Sequence, residues 1–319
     1  MKSIDAFAAT VQGNSIEEVS SKLVAPYKTE SEKFRAIFRW VTLNISYDVD
    51  GYLGKAKMKF DSLEVFKNRT GVCSGYASLL RAMCRIAGIE CVGVTGMARS
   101  DARDSTYNSN HEWVAVKLEQ KWWLTDPTWA SGSIDWSKDK FERKFNEFYY
   151  LSDPALLILS HYPTNPKWQL LNKPVAKSSF LDKVYVSQMF FQNGYKLISP
   201  LNQDTCFQNI LPIVVQGVKP NSISYFPWEI GQYGTIWGKQ ALAYDNDDGS
   251  FSIELTTAKT AYYSFEIFGY YGSESVQEGV NLVFLRALGY TDEMASIYKK
   301  LNLNTCKQKI AHYLKASPK

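Results

Sequence analysis

The sequence predicts an α+β chain: a mixed helix–strand domain, then an antiparallel β-sandwich, then a helical tail. Three observations carry that reading. Helix-start signals alternate with strand runs up to about residue 174. Short strand runs punctuated by turn residues then fill the chain to about residue 286. A polar-capped stretch of helical character follows from Thr291. The expected divisions are residues 1–174, 175–288 and 289–319.

In chain order, Ser15-Ile16-Glu17-Glu18 and Thr29-Glu30-Ser31-Glu32 each put a hydroxyl three residues ahead of a glutamate, the capping-box pattern. The second opens a helix whose apolar stripe is Phe34, Ile37, Phe38, Val41 and Ile45. Asp61 with Glu64 starts a third helix. A fourth follows Gly71, with Ala77, Leu80, Cys84 and Ala87 facing inward and Gly88 as the stop. Strands are expected over Glu90–Gly96, His111–Leu118 and Lys121–Asp126, and Asp153-Pro154 opens a short helix to about Ser160. Beyond Lys173-Pro174 the strand candidates are 183–191, 195–198, 210–216, 223–228, 235–244, 250–256, 261–268 and 280–287. Asp245-Asn246-Asp247-Asp248-Gly249 reads as a hairpin turn, because its glycine comes one position early for a calcium loop and no glutamate closes it.

Composition excludes several classes. Hydrophobic residues at 45% against 21% charged can fill a core, so a disordered chain is ruled out. Lys+Arg 36 against Asp+Glu 32 leaves +4, dispersed along the chain, which gives no reason to expect nucleic acid. No run approaches the ~20 apolar residues of a membrane span. Five cysteines without a Cys-x-x-Cys pair make neither a disulfide framework nor a zinc site, and no metal or cofactor is expected. Met1–Phe7 lacks the apolar segment of a signal peptide. The location is accordingly read as cytoplasmic, or as exported with the signal peptide missing from this sequence. Nothing in the chain indicates an oligomeric state.

The segment Gly71-Val72-Cys73-Ser74-Gly75-Tyr76-Ala77 places a cysteine in the first turn of a helix. There the helix dipole and unpaired N–H groups favour thiolate, the nucleophilic form. The glycines leave the surroundings of Cys73 small enough for a carbonyl to approach. The alternative is a small core cysteine at a helix start. A two-residue turn at Glu119-Gln120 pairs Leu118 with Lys121 and puts His111 one step diagonal from Asp126 on the same face. That spacing permits a carboxylate that orients an imidazole that pairs with a thiolate. An ordinary amphipathic hairpin is the alternative.

These residues, with Trp122-Trp123-Leu124-Thr125-Asp126-Pro127-Thr128-Trp129 and the preceding helix Phe34–Tyr47, resemble the transglutaminase-like superfamily of papain-fold cysteine enzymes. The flanks Tyr150-Leu151-Ser152-Asp153-Pro154, His161-Tyr162-Pro163 and Trp168–Leu171 look most like the kyphoscoliosis-peptidase-type branch. The likeness covers about residues 28–172. Val114 departs from the asparagine common after His-x-Trp, and Glu119-Gln120 departs from the usual Asp-Gly turn. The resemblance implies a papain-like fold, with Cys73 as nucleophile, His111 as general base and acid, and Asp126 as the residue that orients it.

The expected reaction is acyl transfer through a thioester on Cys73, acting on amide bonds of a polypeptide, with hydrolysis and cross-linking both compatible. The competing reading is a catalytically idle protein-binding scaffold. For the oxyanion, the Cys73 N–H is the first candidate and the Tyr47 hydroxyl the second. Trp113, Trp122 and Trp129 are expected to border an aromatic slot for an extended peptide. Cys84 and Cys91 read as small core residues, His161 and His312 as structural or surface histidines, and the tyrosine-rich second half as cross-strand and core aromatics.

Overall fold

The structure, a computed structural model, describes residues 1–99, 110–135 and 137–181. Past 181 it describes 185–186, 195–199, 205–208, 210–217, 219, 222–229, 239–256, 261–271 and 278–290. It divides into two compact units: Met1–Ala98 with Thr106–Val175, and Arg99–Ser105 with Ala176–Lys319.

The first unit opens with α1 (Lys2–Thr10), α2 (Ile16–Val24) and α3 (Glu30–Asn44). Ser15 accepts from the Glu18 N–H, and at Thr29 both halves of the capping box form. Helix α3 is buried nearly all round, Arg35 and Arg39 included, so it is the central helix of the unit. Then come β1 (Ser46–Tyr47), α4 (Val49–Tyr52), α5 (Ser62–Asn68), β2 (Thr70–Gly71) and α6 (Cys73–Ile86). Helix α6 packs Tyr76, Leu79, Leu80, Met83 and Cys84 into one core with Phe34, Trp40, Trp113 and Val116.

The sheet is built from β3 (Cys91–Ala98), β4 (His111–Leu118), β5 (Lys121–Thr125) and β8 (His161–Pro163), in the order β5-β4-β3-β8 and antiparallel throughout. Between β5 and β8 lie α7 (Pro127–Ser131), the hairpin of β6 (Gly132–Asp135) and β7 (Lys140–Arg143), and α8 (Pro154–Leu157). Strand β3 starts and ends later than the sequence predicts, and α8 stops at Leu157 rather than near Ser160. Helices α1, α4 and α7 and strands β6 to β8 are not among the expected elements. They are short, or in α1 lack a capping side chain, so little in the local sequence announces them.

The β4–β5 register is the expected one, Leu118 with Lys121 and Val114 with Thr125. Glu119 and Gln120 turn the chain at φ 44° and 64°, left-handed positions that neither residue favours. Contacts from outside the hairpin hold them there. The Ser31 N–H donates to Glu119 Oε1 at 3.1 Å and the Ser31 hydroxyl to Oε2 at 2.6 Å. The Glu119 N–H donates to Glu30 Oε2 at 2.6 Å. The turn carboxylate therefore sits on the N-terminus of α3, where negative charge is favoured.

The second unit holds α9 (Lys177–Leu181) and two sheets. One has the order β10 (Lys196–Ser199), β12 (Ile210–Gln216), β16 (Ser250–Thr256), β15 (Leu242–Asp245). The other has the order β11 (Thr205–Gln208), β18 (Glu278–Tyr290), β17 (Ala261–Tyr271), β13 (Ser222–Glu229), β14 (Lys239–Gln240), with β9 (Tyr185–Val186) also on β18. The described pairings are antiparallel save one. Strand β11, unpredicted from sequence, runs parallel to β18. The β15–β16 connection is the expected hairpin turn, with Asp248 Oδ1 accepting from the Ser250 N–H at 3.0 Å. The expected tail from Thr291, with Cys306 and His312, lies outside the described residues.

Candidate active site

Cys73 is the first residue of α6, where the predicted thiolate-favouring helix start places it. Val72 at the N-cap offers no side-chain hydrogen bond, so the first N–H groups of the helix are not satisfied by a capping side chain. The helix start is anchored by packing. A Cβ on Gly75 would meet the Lys59 carbonyl oxygen at 2.6 Å, and one on Gly71 would meet Val65 Cγ2 at 2.8 Å. These glycines therefore serve close contact with residues 59–65. Tyr47 stands opposite Gly71 in the β1–β2 pair and lies close to Cys73. Burial first, then the nearby Cys73, push its hydroxyl well above the ordinary tyrosine range.

His111 opens β4. The Asn110 side chain fixes this entrance by accepting from the Ala98 N–H at 2.8 Å and donating to the Ala98 carbonyl at 3.2 Å. The His111 side chain hydrogen-bonds Cys73, and its Nε2 lies 2.6 Å from Asp126 Oδ2, which leaves Nδ1 to the thiol. The Glu112 N–H also donates to the Cys73 sulfur.

Asp126 is the residue after β5, the N-cap of α7 rather than the strand end expected for it. Its Oδ1 accepts from the N–H groups of Thr128 at 2.8 Å and Trp129 at 3.0 Å. Its Oδ2 accepts from His111 and from a second imidazole, His161 Nε2, at 3.1 Å. The carboxylate is fully buried and bonded at both oxygens. His161, read from the sequence as a structural or surface histidine, is thus a buried partner of this carboxylate, brought to it by strand β8 from 35 residues away. Its only sequence trace is its place in His161-Tyr162-Pro163, which carries no local chemical pattern.

Electrostatics favour a charged pair at the thiol. Burial alone would raise Cys73, but the hydrogen bond and charge of His111, with the Glu112 N–H, bring it below the ordinary thiol value. Burial would lower His111, but Asp126 and then Cys73 push it up to about 10. Burial would raise Asp126, yet the two histidines hold it below the usual carboxylate range. His161 is lowered, by burial first and also by the charge of His111. The arrangement favours a thiolate beside an imidazolium, a nucleophile with its proton donor.

Ligand atoms of His111, Asp126 and His161 lie within 4.8 Å of one another and could hold a cation only by giving up the hydrogen bonds just described. Trp113 is fully buried, its ring 5.1 Å from His161 and 6.1 Å from His111, so it packs behind the site and borders no slot. Trp122 packs edge-on to Trp168. Trp129, half-buried, lies 5.3 Å from His111. Cys84 is a buried core residue as expected, and Cys91 is half-buried.

Residues 17–127, which hold Cys73, His111 and Asp126, match the family model of the transglutaminase-like superfamily. This part of the chain, with a fold of mixed helices and sheet, is similar to transglutaminase-like domains and resembles the kyphoscoliosis-peptidase branch. Kyphoscoliosis peptidase of Mus musculus is 36% identical over 196 residues, 60% of this chain and 30% of that protein; the Homo sapiens protein is 35% identical over the same shares. Hillarin of Drosophila melanogaster is 28% identical over 193 residues, 54% of this chain and 23% of that protein. The chain spans less than a third of the length of these relatives. Among solved structures, one described as a TGase covers 40% of this chain and 32% of its own at 16% identity and a TM-score of 0.29.

Proposed function

We propose that this protein is a thiol-dependent acyl-transfer enzyme acting on amide bonds of polypeptides, with Cys73, His111 and Asp126 as its catalytic residues. The observation that carries the reading is the His111 ring, held 2.6 Å from Asp126 Oδ2 and placed where its hydrogen bonding and charge lower the Cys73 thiol. The thiolate attacks the amide carbonyl while the oxyanion is received by the Cys73 N–H, with the Tyr47 hydroxyl as a second donor. His111 protonates the departing amine, and water or a lysine amine then attacks the thioester. Hydrolysis is favoured because the relatives at 35–36% identity are named peptidases. In this reading residues 175–288 form a β-sandwich that supplies no catalytic residue. An idle scaffold would have no use for a thiol whose acidity an imidazole raises.

The test is a thiol-directed activity probe, with parallel assays on peptide and glutamine-containing substrates. Labelling confined to Cys73, and lost together with turnover in Cys73→Ala, is the expected result. Turnover that survives complete alkylation of Cys73 would reject the proposal.

A further inference from the structure

His161 lies outside the thiol–imidazole–carboxylate path yet shares its carboxylate. It stands opposite Ala98 on β3, while Gly96 of the same strand stands opposite His111, so one strand carries both rings toward Asp126. A Cβ on Gly96 would meet the Tyr162 carbonyl oxygen at 2.2 Å and the Trp113 ring at 2.5 Å. The approach of β8 to this end of β3 thus depends on a residue without a side chain.

The His161 ring is fixed on every side. It is 1% exposed, with Trp129 at 4.6 Å, Trp113 at 5.1 Å and Tyr149 at 5.8 Å between ring centres. Its Nδ1 lies 2.8 Å from the Ser160 hydroxyl and its Nε2 3.1 Å from Asp126 Oδ2. The titratable groups facing it are Asp126 at the start of α7, His111 on β4 and Tyr149 in the turn at 147–149. Two imidazolium ions on one buried oxygen would repel each other, so one ring is neutral. Of the two, His111 has the thiolate beside it as well as the carboxylate, and it takes the charge. A neutral His161 has a single N–H, and an ionised carboxylate only accepts. That hydrogen therefore sits on Nε2, and Nδ1 accepts from Ser160.

We infer that His161 is a positioning residue whose neutral Nε2–H donates to Asp126 Oδ2, takes up part of the carboxylate's charge and leaves His111 freer to release its proton. The inference rests on the proposed acyl-transfer reading. It acts at the step where the tetrahedral adduct collapses. The C–N bond breaks, its electron pair goes to nitrogen, the proton passes from His111 Nδ1 to that nitrogen, and the thioester carbonyl re-forms. A carboxylate bonded only to His111 on this oxygen would hold that proton more firmly.

The test uses the full chain and the rate at which iodoacetamide alkylates Cys73 as a function of pH, with the modified peptide identified by mass. In the wild type the rate should show a reactive step below pH 7, from the thiolate–imidazolium pair, and a second at high pH as His111 loses its proton. In His161→Phe the high-pH step should move up by about one pH unit, the size that one hydrogen bond to a charged group supports. His161→Gln, whose amide N–H can reach toward the Nε2 position, should return it most of the way. Ser160→Ala, which frees the tautomer, should move it upward by less, and it serves if His161→Phe does not fold. An unmoved step in His161→Phe, or equal shifts in the Phe and Gln variants, would overturn this inference alone. A wild type with no reactive step below pH 7 would overturn the acyl-transfer reading as well.

Discussion

Two places in the first unit bury charge under comparable numbers of hydrogen bonds, and only one carries a nucleophile. At the first, the Arg35 guanidinium, 3% exposed, takes both oxygens of Asp5 at 2.7 Å and both oxygens of Glu147, and stacks 4.4 Å from the Tyr150 ring. It ties α1 and α3 to the turn at 147–149. Its carboxylates reach solvent, Asp5 at 24% and Glu147 at 55% of the side chain, which lowers the cost of burying the cation. At the second, the anion is buried and its partners are imidazoles. A guanidinium does not release a proton at any pH a protein meets, so the first cluster can only brace. An imidazole exchanges a proton in the physiological range, so the second can move one. What separates a brace from a proposed catalytic centre here is the acidity of the partner and the thiol beside it, since both clusters are well bonded.

The largest expected effect is at the nucleophile. Cys73→Ala should abolish turnover of a peptide amide while the melting temperature stays within about 2 °C, since little volume is lost. Next is Asp126→Asn. Its amide would turn an N–H toward two imidazole donors or toward the α7 amides, and turnover should fall on the order of a thousandfold, as loss of the orienting carboxylate does in related triads. In contrast, Arg35→Met should leave the pH profile of Cys73 alkylation unchanged in the folded protein. Its cost should appear in urea titration as about 1 kcal/mol, since Asp5 keeps Arg39 at 3.2 Å and Glu147 reaches solvent. A shifted alkylation profile in that variant would dissolve the distinction between the two clusters.

A smaller effect sharpens the comparison through pH. His161 and Asp126 both titrate below their ordinary values of 6.5 and 3.8 in the folded state, so the unfolded chain binds the protons first. Their stabilising share is complete above those values and is lost as the pH falls, first below about 6.5 and again below about 4. On the alkaline side His111, raised to about 10, works in the opposite sense: its share is complete below 6.5 and lost as the pH rises toward 10. The lowered Cys73 opposes it in that range. Melting temperature followed from pH 8 to pH 3 should fall in two stages, and His161→Phe should remove the earlier one. A single stage in the wild type would mean that His161 is charged in the fold.

Much of this site is legible in the order of its residues. A cysteine after Gly-Val, a histidine opening one strand and an aspartate closing the next define their partners by local spacing, and the register that brings them together is short-range. What the sequence conceals is what distant segments supply. His161 arrives from beyond two helices and a hairpin, with no periodicity linking it to Asp126. Asp126 reads as the end of a strand by its apolar run, yet Pro127 follows it, a pairing that marks an N-cap as clearly as Asp153-Pro154 does. Trp113 reads by alternation as an aromatic lining a slot, yet it lies behind the two histidines and disappears into the core. The parallel β11–β18 pair, made by strands about 80 residues apart, leaves no local mark at all.

The Glu119-Gln120 turn has a consequence for how the protein assembles. A hairpin closed by residues that resist the left-handed conformation gains little by forming on its own, so β4 and β5 are poor seeds for folding. The tie to Ser31 and Glu30 exists only once the first turn of α3 is in place. The two strands that deliver His111 and Asp126 are therefore expected to dock onto a helix formed earlier. Removing the tie with Glu119→Ala should then speed unfolding and leave the folding rate nearly unchanged. In a chain built this way the Asp126 carboxylate and the His111 imidazole meet late, after the thiol's helix has a surface to receive them.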